Sequence, residues 1–260
     1  MELNVIHNCD AVWGMKEKIE DNSVDLIVTD PPFAINFDGK QANYNRKKEN
    51  VIDGYSEVEP EDYADFTNKW IIQAKRILKE SGSLFVVSGW NNLGIILNAA
   101  EDAGFIQINH IIWKYQFGVN CTKKFITSHY HILYYCINEK KRKFFPYCRY
   151  TKDEKIGLSN KSARYADMED VWVIQRENWT GMEKTATKLP GELVRKILSY
   201  TGEPGDIVVD PFSGSGQTAW FAKKNNMNYI CFEKVEKIFD FSQRRIKEGR
   251  YLLHKMKDVV

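Results

Sequence analysis

Two Asp-Pro motifs far apart in the chain carry the residue types best suited to chemistry. Asp30-Pro31-Pro32-Phe33 follows the apolar run Val24-Asp25-Leu26-Ile27-Val28-Thr29. Asp210-Pro211-Phe212-Ser213-Gly214-Ser215-Gly216 follows Asp206-Ile207-Val208-Val209. Each run reads as a buried strand, so each motif lies at a strand's carboxyl end, where open α/β sheets bind ligands. The first motif suits an amino group on a planar ring. Such an amine is a poor nucleophile, because its lone pair is delocalised into the ring. A carboxylate from Asp30 and a carbonyl from Pro31, both accepting from the NH2, localise that lone pair and aim it at a methyl donor. The prolines stiffen the acceptors. Phe33 offers a flat face for the base to stack on, and a base reached this way must leave the helix.

The second motif suits a nucleoside cofactor. Gly214-Ser215-Gly216-Gln217-Thr218-Ala219 fits G-x-G-x-x-G/A, a turn whose backbone N–H groups approach a ligand ahead of a helix. Glu233 ends the next strand 19 residues after the first glycine, placed to accept from ribose hydroxyls. By pattern alone a nicotinamide site fits as well. Two features favour a different cofactor. Asp210-Pro211-Phe212 lengthens the turn and places a carboxylate and an aromatic where a cationic amino acid moiety could lie. Only 27 residues follow Glu233, too few for a dinucleotide domain starting here. Earlier segments must therefore complete the nucleoside half, in circularly permuted order.

The elements that position these motifs alternate along the chain. Strands are predicted at Val24–Thr29, Ser83–Ser88, Ile108–Trp113, His131–Ile137, Asp206–Asp210 and Asn228–Phe232. Helices are predicted at Glu61–Lys79, Asn92–Ala103, Gly191–Tyr200, Gln217–Asn225 and Val235–Lys255. The first helix places Tyr63, Phe66, Trp70, Ile71, Ala74 and Leu78 at three- and four-residue steps. The expected fold is one α/β domain over residues 1–260, with a mixed, mainly parallel sheet covered on both faces. A polar loop, 34–59, follows the catalytic motif. A basic, aromatic stretch, 138–184, reads as an inserted module.

Composition sets the class. At 43% hydrophobic and 28% charged residues over 260 positions, the chain is an ordinary globular protein. No stretch reaches membrane-spanning length, and no secretory signal opens the sequence. Five cysteines without a C-x-x-C pair favour reduced thiols and a cytoplasmic location. Net charge is only +2, but from Asn138 to Tyr165 nine Lys or Arg face three acids. Basic residues among Tyr and Phe suit a phosphate backbone; a solvated surface fits the same composition. Candidate DNA contacts are Lys40, Arg46, Lys47, Lys48, Lys123, Lys124, Lys140, Lys141, Arg142, Lys143 and Arg149. His129 and His131 share a strand face and read as packing or a base or backbone contact, not a metal pair. No metal is expected.

The two Asp-Pro motifs, catalytic first and cofactor last, resemble those of the β-class S-adenosylmethionine-dependent DNA amino-methyltransferases. Asn8-Cys9-Asp10, Glu169-Asp170-Val171-Trp172 and Thr187-Lys188-Leu189-Pro190-Gly191 resemble further family segments. The resemblance implies a Rossmann-like, circularly permuted fold with a target-recognition region at 138–184. It implies S-adenosylmethionine as cofactor, double-stranded DNA as partner, base flipping, and in-line transfer to adenine N6. Catalytic residues would be Asp30, Pro31, Pro32 and Phe33. Cofactor contacts would be Asp10, Asp30, Thr187, Lys188, Asp210, Pro211, Phe212, Ser213, Gly214, Ser215, Gly216, Thr218 and Glu233. The resemblance also suggests a homodimer and a cognate restriction endonuclease. Phe33 stands where Tyr is commoner, Leu189 where Lys is usual, and Cys231 where Gly is common. N4-cytosine transfer uses the same geometry; Asp30 leans towards adenine, since cytosine enzymes in this family often carry Ser there. A DNA-binding regulator that keeps the fold without catalysis is the alternative from another class.

Overall fold

Val24–Thr29 (β2) is buried at every position, as expected of a strand covered on both faces. It sits at the centre of an eight-stranded sheet. A computed structural model describes residues 1–34, 58–115, 121–157, 160–177, 185 and 188–248. In chain order the other strands of this sheet are Val5–His7 (β1), Leu78–Ser88 (β3), Ile106–Lys114 (β4), His129–Cys136 (β5), Val171–Val173 (β8), Ile207–Asp210 (β9) and Asn228–Phe232 (β10). Lys155–Ile156 (β6) and Lys161–Ser162 (β7) form a separate small hairpin. The strand order is β1-β10-β9-β2-β3-β5-β4-β8, and only β5 runs against its neighbours. The mixed, mainly parallel sheet expected from sequence is the one found.

Helices cover both faces. Ala11–Lys18 (α1), Tyr63–Ile77 (α2) and Leu93–Asp102 (α3) bury Met15, Trp70, Ile71, Ile96 and Ala100 against one face. Gly191–Thr201 (α5), Gln217–Lys224 (α6) and Glu236–Glu248 (α7) bury Leu193, Ile197, Ala219 and Ile246 against the other. Ala163–Asp167 (α4) is a single short turn of helix beside α5. The crossover from β2 to β3 uses α2 on one face, and that from β9 to β10 uses α6 on the other. The winding therefore reverses between β9 and β2, which is where such sheets open a ligand crevice.

Several expectations shift. Helix α2 stops at Ile77, because β3 begins at Leu78. Lys79–Gly82 then bulge between the pairs Val24↔Leu78 and Leu26↔Ser83, and Lys79 Nζ reaches Asp25 Oδ2 at 2.7 Å. β1 and α1 escape the sequence reading because β1 has three residues and α1 has no clean apolar face. Trp13 of α1 is exposed while Gly14 is buried. Gly14 is required there, since a Cβ would lie 2.5 Å from the Phe232 ring. The stretch 138–184 contributes to the main sheet among its described residues. Its strand β8 joins the main sheet beside β4, and Trp172 enters the core. Most of the 34–59 loop, and the predicted extension of α7 beyond Glu248, lie outside the described residues.

Candidate active site

β2 and β9 are adjacent parallel strands, with Leu26 opposite Val208 and Ile27 opposite Val209. Both Asp-Pro motifs therefore leave one edge of the sheet side by side. A buried hydrogen bond joins them: Thr29 Oγ1 donates to Asp210 Oδ1 at 3.0 Å. The Phe212 N–H donates to the same oxygen at 3.1 Å, and Thr218 Oγ1 to the other at 2.7 Å. Burial outweighs these donors and pushes the Asp210 carboxyl up to about 6. Asp210, expected at a cofactor's charged end, is thus turned inward and organises the turn. Thr218 is buried on it. The Phe212 ring packs edge-on against Trp70 of α2 at 5.8 Å and beside Phe66.

Beyond this anchor the glycine turn folds as a ligand cradle does. Gly214 and Gly216 are left-handed, at φ 49° and 74°, a conformation glycine adopts at no steric cost. A Cβ on Gly214 would project into open space. Buried Ser213 Oγ has no hydrogen-bond partner among the described residues, and Pro211 is buried beneath the turn. The Glu233 carboxylate accepts from Val235 N at 2.7 Å and from the Gly214 and Lys234 amides, so it ties β10 to the glycine turn. Burial raises its carboxyl above the usual range. An open glycine backbone, a buried hydroxyl and a carboxylate at one strand edge fit a polar nucleoside cofactor. Asp10 lies on the same edge as the exposed N-cap of α1, accepting from Trp13 N at 3.0 Å.

Ser215 and Lys188 belong to a buried polar network. Lys188 Nζ lies 3.0 Å from Glu177 Oε2, and burial lowers its pKa. Glu177 Oε1 accepts from Gly191 N at 2.6 Å, capping α5. Arg245 of α7 donates to Ser215 O at 2.8 Å and to Gln217, whose amide donates to Leu189 O at 2.8 Å. This network clamps the glycine turn from below. Glu177 and Arg245 were not legible as site residues, because no local motif marks them. Thr187 lies outside the described residues.

The other half of the edge holds the first motif. Asp30 is half-buried at the end of β2, Pro31 is buried, and Pro32 and Phe33 are partly exposed. Asn92 Nδ2 donates to the Phe33 carbonyl at 2.6 Å. The Phe33 ring leans on Tyr130, with centroids 5.7 Å apart at 55°. Tyr130 in turn contacts Trp113 and Tyr115, and the Arg176 guanidinium stacks 3.9 Å from the Tyr115 centroid. Phe33 is therefore one face of an aromatic wall built by β4, β5 and the segment after β8. Next to it, His131 Nδ1 and His110 Nε2 are 2.7 Å apart. Burial, then the neighbouring His110 and His129, lower His131 to about 4, so the pair reads as a strand-to-strand contact.

The predicted DNA contacts divide. Lys123 and Lys124 are exposed on the β4–β5 connection, at the same edge as Asp30, beside fully exposed Phe125. Lys140 is exposed, but it and its neighbours follow the end of β5, at the opposite edge. There Lys141 pairs with Glu80 at 2.5 Å, and Arg142 stacks on Tyr134 and Phe144. Lys143 sits among Asp206, Glu203 and Asp25; burial works against its charge, but these carboxylates hold its pKa above the ordinary lysine value. Arg149 is buried against Asp167 and Glu192. Of Lys140, Lys141, Arg142, Lys143 and Arg149, expected at DNA, four are held by neighbouring groups, and the Lys140–Lys143 cluster lies across the sheet from the site. Lys40, Arg46, Lys47 and Lys48 lie outside the described residues.

Comparisons with known proteins agree with this geometry. A family model described as DNA methylase, of the N6/N4 type, matches residues 24–244. The chain is 29% identical to type II methyltransferase M.HinfI of Haemophilus influenzae, over 95% of this chain and 69% of that protein. Its fold is similar to that of PvuII DNA methyltransferase, described as cytosine-N4-specific (TM-score 0.68, 18% identity, 95% of this chain and 94% of that chain). It is also similar to M1.HpyAVI, solved as a SAM complex (TM-score 0.63, 22% identity, 93% of this chain and 98% of that chain).

Proposed function

The chain belongs to the N6/N4 DNA methylase family, and from that premise we propose that it methylates adenine N6 at specific sites in double-stranded DNA. The observation that carries this reading is the Thr29–Asp210 hydrogen bond, which holds the ring-amine motif and the glycine turn as one site. S-adenosylmethionine, when bound, supplies a methyl group already activated on a sulfonium. Ser213, Gly214 and Glu233 are the residues that would hold it. Asp30 and the Pro31 carbonyl accept from the adenine amino group and turn its lone pair towards the donor. Phe33, backed by Tyr130, takes the flipped base on its face. The work of these residues is positioning, with no covalent enzyme intermediate. Lys123 and Lys124 approach phosphate at the mouth.

N4-cytosine methylation is the second reading, favoured by the fold shared with a cytosine-N4-specific enzyme; Asp30 supports adenine. Labelled methyl transfer to mixed-sequence duplex DNA, followed by digestion to nucleosides, tests the choice. N6-methyladenine is expected, and N4-methylcytosine alone would overturn the adenine reading. No label in either base, with DNA still bound, would favour a non-catalytic regulator. We further propose a cytoplasmic location, on the five free cysteines. A second copy of the chain and a cognate restriction endonuclease are proposed partners, the latter on the likeness to a type II methyltransferase.

A further inference from the structure

Helix α3 begins at Asn92, a residue type that usually caps its own helix. Here the Asn92 side chain makes no cap hydrogen bond. Its carboxamide reaches across the edge instead and donates to the Phe33 carbonyl at 2.6 Å. The helix forgoes its side-chain cap, and the loop after β2 gains a fixed point. That carbonyl belongs to the Phe33–Ala34 peptide, and Ala34 is left-handed at φ 52° while buried. A residue with a Cβ held in that region is strained, and it persists only where its surroundings over-determine it. The Asn92 bond sets the plane of the peptide entering this residue. On the other side, Gly89 lies against the Phe33 ring, where a Cβ would make an ordinary contact 3.4 Å from Cδ2. Helix α3 is a firm base for the contact, with Ile96, Ala99 and Ala100 buried against the sheet.

We infer that Asn92 is a positioning residue for methyl transfer: by holding the Phe33 carbonyl it sets the orientation of the Asp30–Phe33 loop. The inference rests on that loop being the catalytic one. Two prolines lie between Asp30 and Phe33, so the loop has little torsional slack. Fixing its far end therefore fixes the carboxylate and the Pro31 carbonyl at its near end. Release of the far end would leave the loop in place but misaligned, a defect in turnover rather than in folding or cofactor binding.

The test uses substitutions that can cap a helix but cannot hold the carbonyl. Asn92→Asp is an acceptor only when ionised, and Asn92→Ser is too short to span the gap. Both are good N-cap residues, so melting temperatures within about 3 °C of wild type are expected. The kcat on duplex DNA should fall about 10- to 100-fold, with S-adenosylmethionine affinity by calorimetry unchanged. If one variant melts early, the other decides. A kcat within about twofold of wild type in a stably folded variant would overturn the inference. A fall in cofactor affinity that accounts for the whole loss would overturn it too. Asp30→Ala, measured alongside, separates the two failures. Retained transfer by Asp30→Ala would sink the catalytic loop itself, whereas a silent Asp30→Ala beside active Asn92 variants would sink only the role of Asn92.

Discussion

Asp30 and Asp210 share a motif and a sheet edge, yet the fold treats them differently. Asp210 is 4% exposed, and its two oxygens accept from Thr29, Phe212 N and Thr218. Asp30 stands half-buried at the mouth, followed by prolines and by an aromatic ring that leans on Tyr130. An aspartate after a buried strand can thus serve as an internal anchor or as a working group. The depth of burial distinguishes the two. The same distinction sorts the lysines: Lys143 is enclosed by carboxylates, whereas Lys123 and Lys124 are exposed.

Removing each carboxylate should separate the roles most sharply. Asp210→Ala leaves two buried hydroxyls and the part-buried Phe212 N–H unsatisfied and is expected to cost about 3 to 5 kcal/mol in urea unfolding. Asp30→Ala should cost less than about 1 kcal/mol. Equal losses would erase the distinction.

A titration of stability sharpens it. The folded Asp210 carboxyl is raised from its ordinary 3.8 to about 6. The folded state therefore binds the extra proton between these values. Its contribution is fully present below about pH 4 and is lost as pH rises through 6. Over that window it amounts to roughly 3 kcal/mol. Asp210→Asn, whose amide can still bond Thr218 and accept from Thr29, should abolish this slope. A slope unchanged in Asp210→Asn would assign it to other groups.

The lysines give the smallest effect. Charge reversal of Lys123 and Lys124 should lower the salt slope of DNA binding by about 2. Lys143→Glu should leave the slope unchanged and lower the melting temperature, because it places a fourth carboxylate among Asp25, Glu203 and Asp206. The reverse pattern would return the 140–143 cluster to the interface.

Much of the frame was legible because it rests on local signals. The largely apolar run of β2 and the three- and four-residue steps of α2 announce their elements, and each Asp-Pro motif announces a strand end. The inward turn of Asp210 was not legible, since its partners Thr29 and Thr218 come from different elements. The clamp from Glu177 and Arg245 was hidden for the same reason. β8 was missed because its three residues alternate exposed, buried, exposed inside a basic stretch. The partners of the basic cluster were hidden because composition reports charge but not which carboxylates meet it across the fold. Asn92 could be read as a helix start, but its bond to Phe33 needed coordinates.

In the proposed division of roles, the Asp30 loop does the chemistry on a platform that Asp210 holds together. The most direct measurement pairs Asp30→Asn with Asp210→Asn, following labelled methyl transfer and calorimetric S-adenosylmethionine binding in the same preparations. Asp30→Asn is expected to bind cofactor as wild type does while transfer falls at least about 1000-fold. Asp210→Asn is expected to keep transfer within about tenfold. Transfer retained in Asp30→Asn and lost in a well-folded Asp210→Asn would contradict it.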